Sequence, residues 1–195
     1  SKTTDEDFRT DNQIIKVPMM KENSRFNYAE TENLQILEML YEGEELSMII
    51  LLPKEDNMEL LENSLTIENL NSWRDELINE EVDVFMPKFT FRTSYTLNEY
   101  LKDIGINLAF SEKADFSGIT GDQNLFINII LHKAFVDVNE EGTEAAAATG
   151  IGFSFKTSMP EPPKIFKADH PFIFIIQQKD NGNILFVGKI NDPSQ

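Results

Sequence analysis

Between two apolar segments the chain runs Glu140-Glu141-Gly142-Thr143-Glu144, then four alanines from Ala145 to Ala148. It continues Thr149-Gly150-Ile151-Gly152-Phe153-Ser154-Phe155-Lys156-Thr157-Ser158-Met159-Pro160. From Asn139 to Phe166 the stretch holds three glycines, three prolines and four alanines, with almost no hydrophobic period. At roughly 28 residues it far exceeds the usual connection length, and a loop that long inside a compact domain is functional or disordered. One reading is a surface linker of small residues on which nothing packs. The other is a strand in waiting. Extended, Thr143, Ala145, Ala147 and Thr149 fall on one face, all small and uncharged, while Glu144 falls on the other with Ala146 and Ala148. Such a face enters a sheet with little steric or desolvation penalty, an asymmetry that a linker does not need.

Working outward, Phe126 to Val138 reads as a buried strand before the loop. Phe172 to Gln177 and Ile184 to Ile190 form a hairpin after it, turned at Lys179-Asp180-Asn181-Gly182, because Asn-Gly tolerates positive φ. At the other end of the chain, Ser1 to Asp7 is polar and reads as an edge or a frayed segment. Asn12 to Met20 reads as a strand ended by Lys21-Glu22-Asn23-Ser24. Phe26 to Ala29, Leu34 to Tyr41 and Leu46 to Leu52 follow as an antiparallel meander with a turn at Glu42-Gly43-Glu44. Met58, Leu61 and Leu65, then Ile67, Leu70, Trp73 and Leu77, keep helical spacing and predict two short helices, the second capped by Thr66. Val82 to Thr93 reads as one long strand with Pro87 at an edge or bulge. Leu97 to Ile104 reads as a helix stopped by Gly105. Strand runs broken by a few short helices predict an α+β domain.

Length and charge bound the function. A chain of 195 residues with 41% hydrophobic side chains can bury a core. With 17 basic against 34 acidic residues the net charge is −17, which disfavours nucleic acid and anionic membranes as partners. No apolar run approaches the ~20 residues of a spanning helix. There is no cysteine, which excludes disulfides, thiolate metal sites and cysteine nucleophiles and leaves the compartment open. The chain opens at Ser1 without an apolar signal segment, so a leader was removed, never existed or lies upstream.

Catalytic motifs are missing: there is no Gly-x-Ser-x-Gly elbow, Walker loop, His-Glu-x-x-His or dinucleotide glycine pattern. His132 and His170 lie on or beside apolar strands and read as satisfied structural histidines. Asp137, Asn139, Glu141 and Gly142 imitate the start of a calcium loop, but its twelfth position falls on Ala148, so no metal site is expected.

The run from Glu140 to Thr149 resembles the hinge of the reactive-centre loop of inhibitory serpins. Further stretches resemble serpin signatures in the expected order. They are Val17-Pro18-Met19-Met20, Leu52-Pro53, Met86-Pro87-Lys88-Phe89, Ala114-Asp115-Phe116-Ser117-Gly118, His132-Lys133-Ala134, Ala168-Asp169-His170-Pro171-Phe172 and Ile184-Leu185-Phe186-Val187-Gly188-Lys189. The likeness covers nearly all of the chain. It implies residues 1–195 as the carboxy-terminal half of one serpin domain, α+β with mostly antiparallel sheets and a few short helices, its reactive-centre loop at about 140–166. Half of such a domain would leave an exposed apolar edge and an incomplete core.

The resemblance also implies a function: suicide inhibition of a serine protease, without enzymatic activity or cofactor. The partners implied are the protease, in a covalent acyl-enzyme complex, and the amino-terminal half of the same serpin. In this mechanism the protease attacks the loop, and the cleaved loop inserts as a strand beside the one at Phe126 to Val138. The implied hinge is Gly142, Thr143, Glu144, Ala145, Ala146, Ala147 and Ala148. Counting fourteen residues from Gly142 puts the reactive bond between Lys156 and Thr157, which suits trypsin-like enzymes; a shift of one residue puts Phe155 there and suits chymotrypsin-like ones. His132 matches a histidine of a hydrogen-bonded cluster beneath the opening of the large sheet, a structural switch. A non-inhibitory carrier, chaperone or storage serpin, or an inactive fragment, stays open beside this reading.

Overall fold

In the computed structural model, residues 2–55, 57–140 and 162–194 are described. They fall into two compact units, one built from Ser1–Phe89 with Val138–Gln195 and the other from Thr90–Asp137.

The first unit is organised by the strand β2 (Ile14–Glu30), which is 17 residues long. β1 (Lys2–Arg9) pairs antiparallel with its first half, from Lys2 against Lys21 to Arg9 against Ile14. β3 (Leu34–Leu40) pairs with its last residues, and β4 (Leu46–Pro53) pairs with β3 as the meander requires. β5 (Ile78–Pro87) runs along the other side of β2. β2 does not stop at Lys21-Glu22-Asn23-Ser24, as the polar run suggests. Those residues pair with Phe85, Val84, Asp83 and Val82 of β5, so their backbone groups are satisfied while Lys21 and Asn23 project into solvent.

β6 (Phe89–Thr96) and β7 (Leu131–Val138) form a separate two-stranded sheet. β8 (Lys164–Lys167) lies parallel to β5, and β9 (Phe172–Gln178) with β10 (Ile184–Ile190) is the expected hairpin. Gly182 at φ +68° makes the Asn-Gly turn there. Across the eight-stranded sheet the order is β10-β9-β4-β3-β2-β5-β8, with β1 beside β2. Among the described strands of this sheet antiparallel pairing prevails and β8 alone joins in parallel, the α+β arrangement expected.

Two helices cover one face of this sheet. α1 (Met58–Ser64) begins at Asn57, whose side chain accepts from the Leu60 amide at 3.0 Å; α2 (Ile67–Asp75) begins at Thr66, whose Oγ1 accepts from Asn69 at 3.2 Å. Leu61 and Leu70 carry the helices onto Leu34, Ile36, Ile49, Leu51, Ile173 and Ile175, with Met58, Leu65, Trp73 and Leu77 packed around them. Each leucine so buried contributes about 1.5–3 kcal/mol. The alternate residues of β4, Met48, Ile50 and Leu52, take the opposite face and are buried too. Phe89 packs edge-on to Phe172, their ring centroids 6.0 Å apart, and lies 5.8 Å from Phe174.

The single strand expected over Val82 to Thr93 is two strands parted at Lys88. Pro87, lacking an N–H, ends β5 beyond the register of β8, and the Lys88 amide turns to the Pro18 carbonyl at 2.8 Å.

The second unit holds β6, most of β7, the helix α3 (Asn98–Asp103), a 3-10 turn at Leu108–Phe110 and one short turn, α4 (Ser117–Thr120). Gly105 stops the third helix at φ +99°. Asn98 clamps the approach to β7, donating to the Asn128 carbonyl at 2.7 Å and accepting from the Ile130 amide at 2.9 Å. The buried strand expected over Phe126 to Val138 is corrected twice. Only Leu131–Val138 is strand, and it is mostly exposed, Leu131 at 56% and Phe135 at 53%. Paired with β6 alone, β7 lacks a second neighbour among the described residues, and two strands cannot cover a face.

Candidate functional site

The stretch expected to be a long loop is flanked by two anchors among the described residues of the first unit. Upstream, the described chain passes from β7 through Asn139 to Glu140. The Glu140 carboxylate accepts from Thr3 Oγ1 at 2.6 Å and pairs with Lys88 Nζ at 2.6 Å. β1 brings Thr3, and the break between β5 and β6 brings Lys88. The Lys88 ammonium foremost, then the Thr3 hydroxyl, hold the Glu140 carboxyl down at about 2. The charge therefore stays on this residue at any physiological pH, and a single carboxylate ties three elements together where the loop departs.

Downstream, Pro162 and Pro163 lead into β8, which sits at the sheet edge against β5. Gln35 Nε2 donates to the Ile165 carbonyl at 2.9 Å, and the Ala168 amide donates to the Phe85 carbonyl at 2.9 Å. Lys167 pairs with Glu6 at 2.8 Å, which raises its pKa. Lys164 stands 4.0 Å from Glu30, whose carboxyl is held down chiefly by Lys54 at 2.7 Å. Phe166 is fully buried and pins the strand from beneath.

Gly142, Thr143, Glu144, Ala145, Ala146, Ala147, Ala148, Phe155, Lys156 and Thr157 lie outside the described residues. His132 is on β7 and is exposed, so the reading of it as a satisfied core histidine is corrected; β7 has too few neighbours to bury it. His170 is the satisfied one, buried between Asp169 and the Pro53 carbonyl. Thr3 and Lys88 were missed by the sequence reading. Thr3 carries no local signal at all; Lys88 had one, as the polar residue that interrupts the strand pattern after Met86-Pro87. Among the described residues no group of three His, Asp or Glu side chains stands ready to hold a metal ion.

A family model described as "Serpin (serine protease inhibitor)" matches residues 1–193. An uncharacterized serpin-like protein of Thermococcus kodakarensis is 45% identical over 194 residues, which is 99% of this chain and 45% of that protein. The leukocyte elastase inhibitor of Homo sapiens is 43% identical over 202 residues, covering 98% of this chain and 53% of the inhibitor. A solved thyroxine-binding globulin, in complex with thyroxine, superposes with a TM-score of 0.83 at 32% identity, over 98% of this chain and 51% of its own. The chain spans about half the length of the curated relatives it matches. With a family model matched over almost its whole length and a fold shared with a solved relative, this chain belongs to the serpin family.

Proposed function

We propose that the chain is part of a suicide inhibitor of serine proteases, with trypsin-like enzymes as targets. The observation that carries the reading is the hinge: Thr143, Ala145, Ala147 and Thr149 give one face of a strand no bulk and no charge. The kinship with leukocyte elastase inhibitor and, among the described residues, the lack of a second neighbour for β7 support it. The protease serine attacks the Lys156 carbonyl, the Lys156–Thr157 bond breaks, and the Thr157 amino group leaves with the proton supplied by the protease. The acyl-enzyme survives because the freed hinge enters the sheet beside β7 before water can attack the ester. A lysine at the bond fits a pocket that ends in a carboxylate, since its charge is tolerably buried only when paired. Phe155 at that position would redirect the inhibitor to a chymotrypsin-like pocket.

The remaining part of a serpin domain is the proposed partner of the surfaces left bare here, among them Leu131, Phe135 and Val187. Incubation of the intact protein with trypsin and with chymotrypsin tests the function. The expected result is a complex that survives a denaturing gel and a released fragment that begins at Thr157. A fragment beginning at Lys156 shifts the target class. Cleavage near Pro160 or beyond leaves both assignments wrong. The likeness to thyroxine-binding globulin favours a second reading, a non-inhibitory carrier. Its signature is cleavage of the loop without any covalent complex.

A further inference from the structure

His170 lies between β8 and β9 with its residue only 7% exposed. Nδ1 is 2.9 Å from Asp169 Oδ1, and Nε2 is 2.7 Å from the Pro53 carbonyl oxygen at the end of β4. Both neighbours are acceptors. A neutral imidazole has one N–H, so it donates to one of them and sets a lone pair against the other. The imidazolium donates to both. Burial works against the charge, but the Asp169 carboxylate and the Pro53 carbonyl together outweigh it, and the pKa of His170 rises above 6.5. The hydrogen bond from His170 in turn lowers the pKa of Asp169.

The charged groups around the ring come from two elements besides Asp169. Arg9 of β1 opposes the histidine charge, and its own amide donates to the Asp169 carbonyl at 2.8 Å. Lys167 of β8 stands 3.9 Å from Asp169 Oδ2 and is engaged by Glu6 of β1. Thus Ala168, Asp169 and His170 tie the chain to β5, β1 and β4 respectively, and only the last tie is made by a titratable group. β8 itself has four residues and, among the described residues, one ladder neighbour, so these ties matter to it more than to an interior strand.

We propose that His170 is a proton-operated latch: charged, it fastens the chain leaving β8 to the end of β4, and neutral, it gives up one of its two bonds. As regulation of the loop's return anchor this rests on the inhibitory reading above; the latch itself does not. The sign follows from linkage. A histidine whose pKa is raised in the closed state holds the latch fully shut below the ordinary value near 6.5 and loses it as pH climbs through the raised value.

Hydrogen exchange of the Ala168 and Arg9 amides in the intact protein, between about pH 6 and 9 and corrected for intrinsic exchange, tests it. The opening constant is expected to be flat at the acid end. It then climbs by at most about tenfold per pH unit until the raised pKa is passed. His170→Gln, which donates one bond at every pH, is expected to give a flat profile. A flat wild-type profile, or a variant that climbs like the wild type, overturns the latch. Nitrogen-15 shifts of the ring in the wild type keep the test independent of the variant's folding: both nitrogens protonated near pH 6 is expected, and a neutral ring there overturns it. Complex formation with trypsin is read on the same sample, so failure of the latch and failure of the inhibitory reading are told apart.

Discussion

β7 and β9 are strands of similar length and similar apolar content, and their fates differ. β9 reads Phe-Ile-Phe-Ile-Ile-Gln-Gln and lies between β4 and β10, with Phe174 1% exposed. β7 reads Leu-His-Lys-Ala-Phe-Val-Asp-Val, has β6 on one side, and keeps Leu131, His132 and Phe135 in solvent. Apolar content makes both of them strands; the number of neighbours decides which is core. The strand with one ladder neighbour among the described residues is also the one that runs toward the stretch expected to be the loop.

The sharpest way to break the contrast is at the hinge. Thr143→Arg puts a charge on the face that would enter the sheet, at a cost of several kcal/mol (roughly 2–7 for an unpaired polar group, more for a charge). The intact protein is then expected to be cleaved as a substrate while the gel-stable complex vanishes. Undiminished complex formation would sink the insertion reading. Phe174→Ala comes next, with an expected loss of about 3–5 kcal/mol in urea unfolding because an aromatic ring leaves a closed core. Leu131→Ala in the same 195-residue chain should stay within about 0.5 kcal/mol. Equal losses at the two sites would erase the distinction between the strands.

A smaller effect is expected at the upstream anchor. The Glu140 carboxyl is lowered to about 2, so its contribution is present above the ordinary value of 4.5 and is lost as pH falls toward about 2. The gap in melting temperature between wild type and Glu140→Gln should therefore be open at pH 7 and closed near pH 2. A gap that persists unchanged in acid contradicts the Lys88 and Thr3 contacts. The smallest effect is that of His132→Ala, which should leave the melting temperature of the 195-residue chain unaltered. In the intact protein it should lower it, if the proposed partner half covers β7. No difference in either setting removes His132 from the switch.

Features with local causes were legible in the sequence. Thr66 caps its helix within three residues, Asn181-Gly182 turns within the hairpin it joins, and Gly105 stops α3 beside it. The failures share the opposite property. Lys21 to Ser24 look like a turn until β5 is laid against them, and Phe126 to Val138 look like core until the neighbours of β7 are counted. β8 is Lys-Ile-Phe-Lys, too short to show a period, and its partner β5 lies far back in the chain. The anchor at Glu140 joins residues 137 positions apart, a pairing that no window of sequence contains. The expected hinge rests on a signal of another kind, a composition with no bulk on alternate residues, and it lies outside the described residues.

The central claim is that the cleaved loop becomes a strand beside β7. The most direct measurement is the melting temperature of the intact protein before and after its loop is cut by a catalytic trace of protease. Insertion adds ladder hydrogen bonds and buries the small face of Thr143, Ala145, Ala147 and Thr149, so the account predicts a cleaved form that melts well above the uncut one. An unchanged or lower melting temperature after complete cleavage at the loop would contradict it.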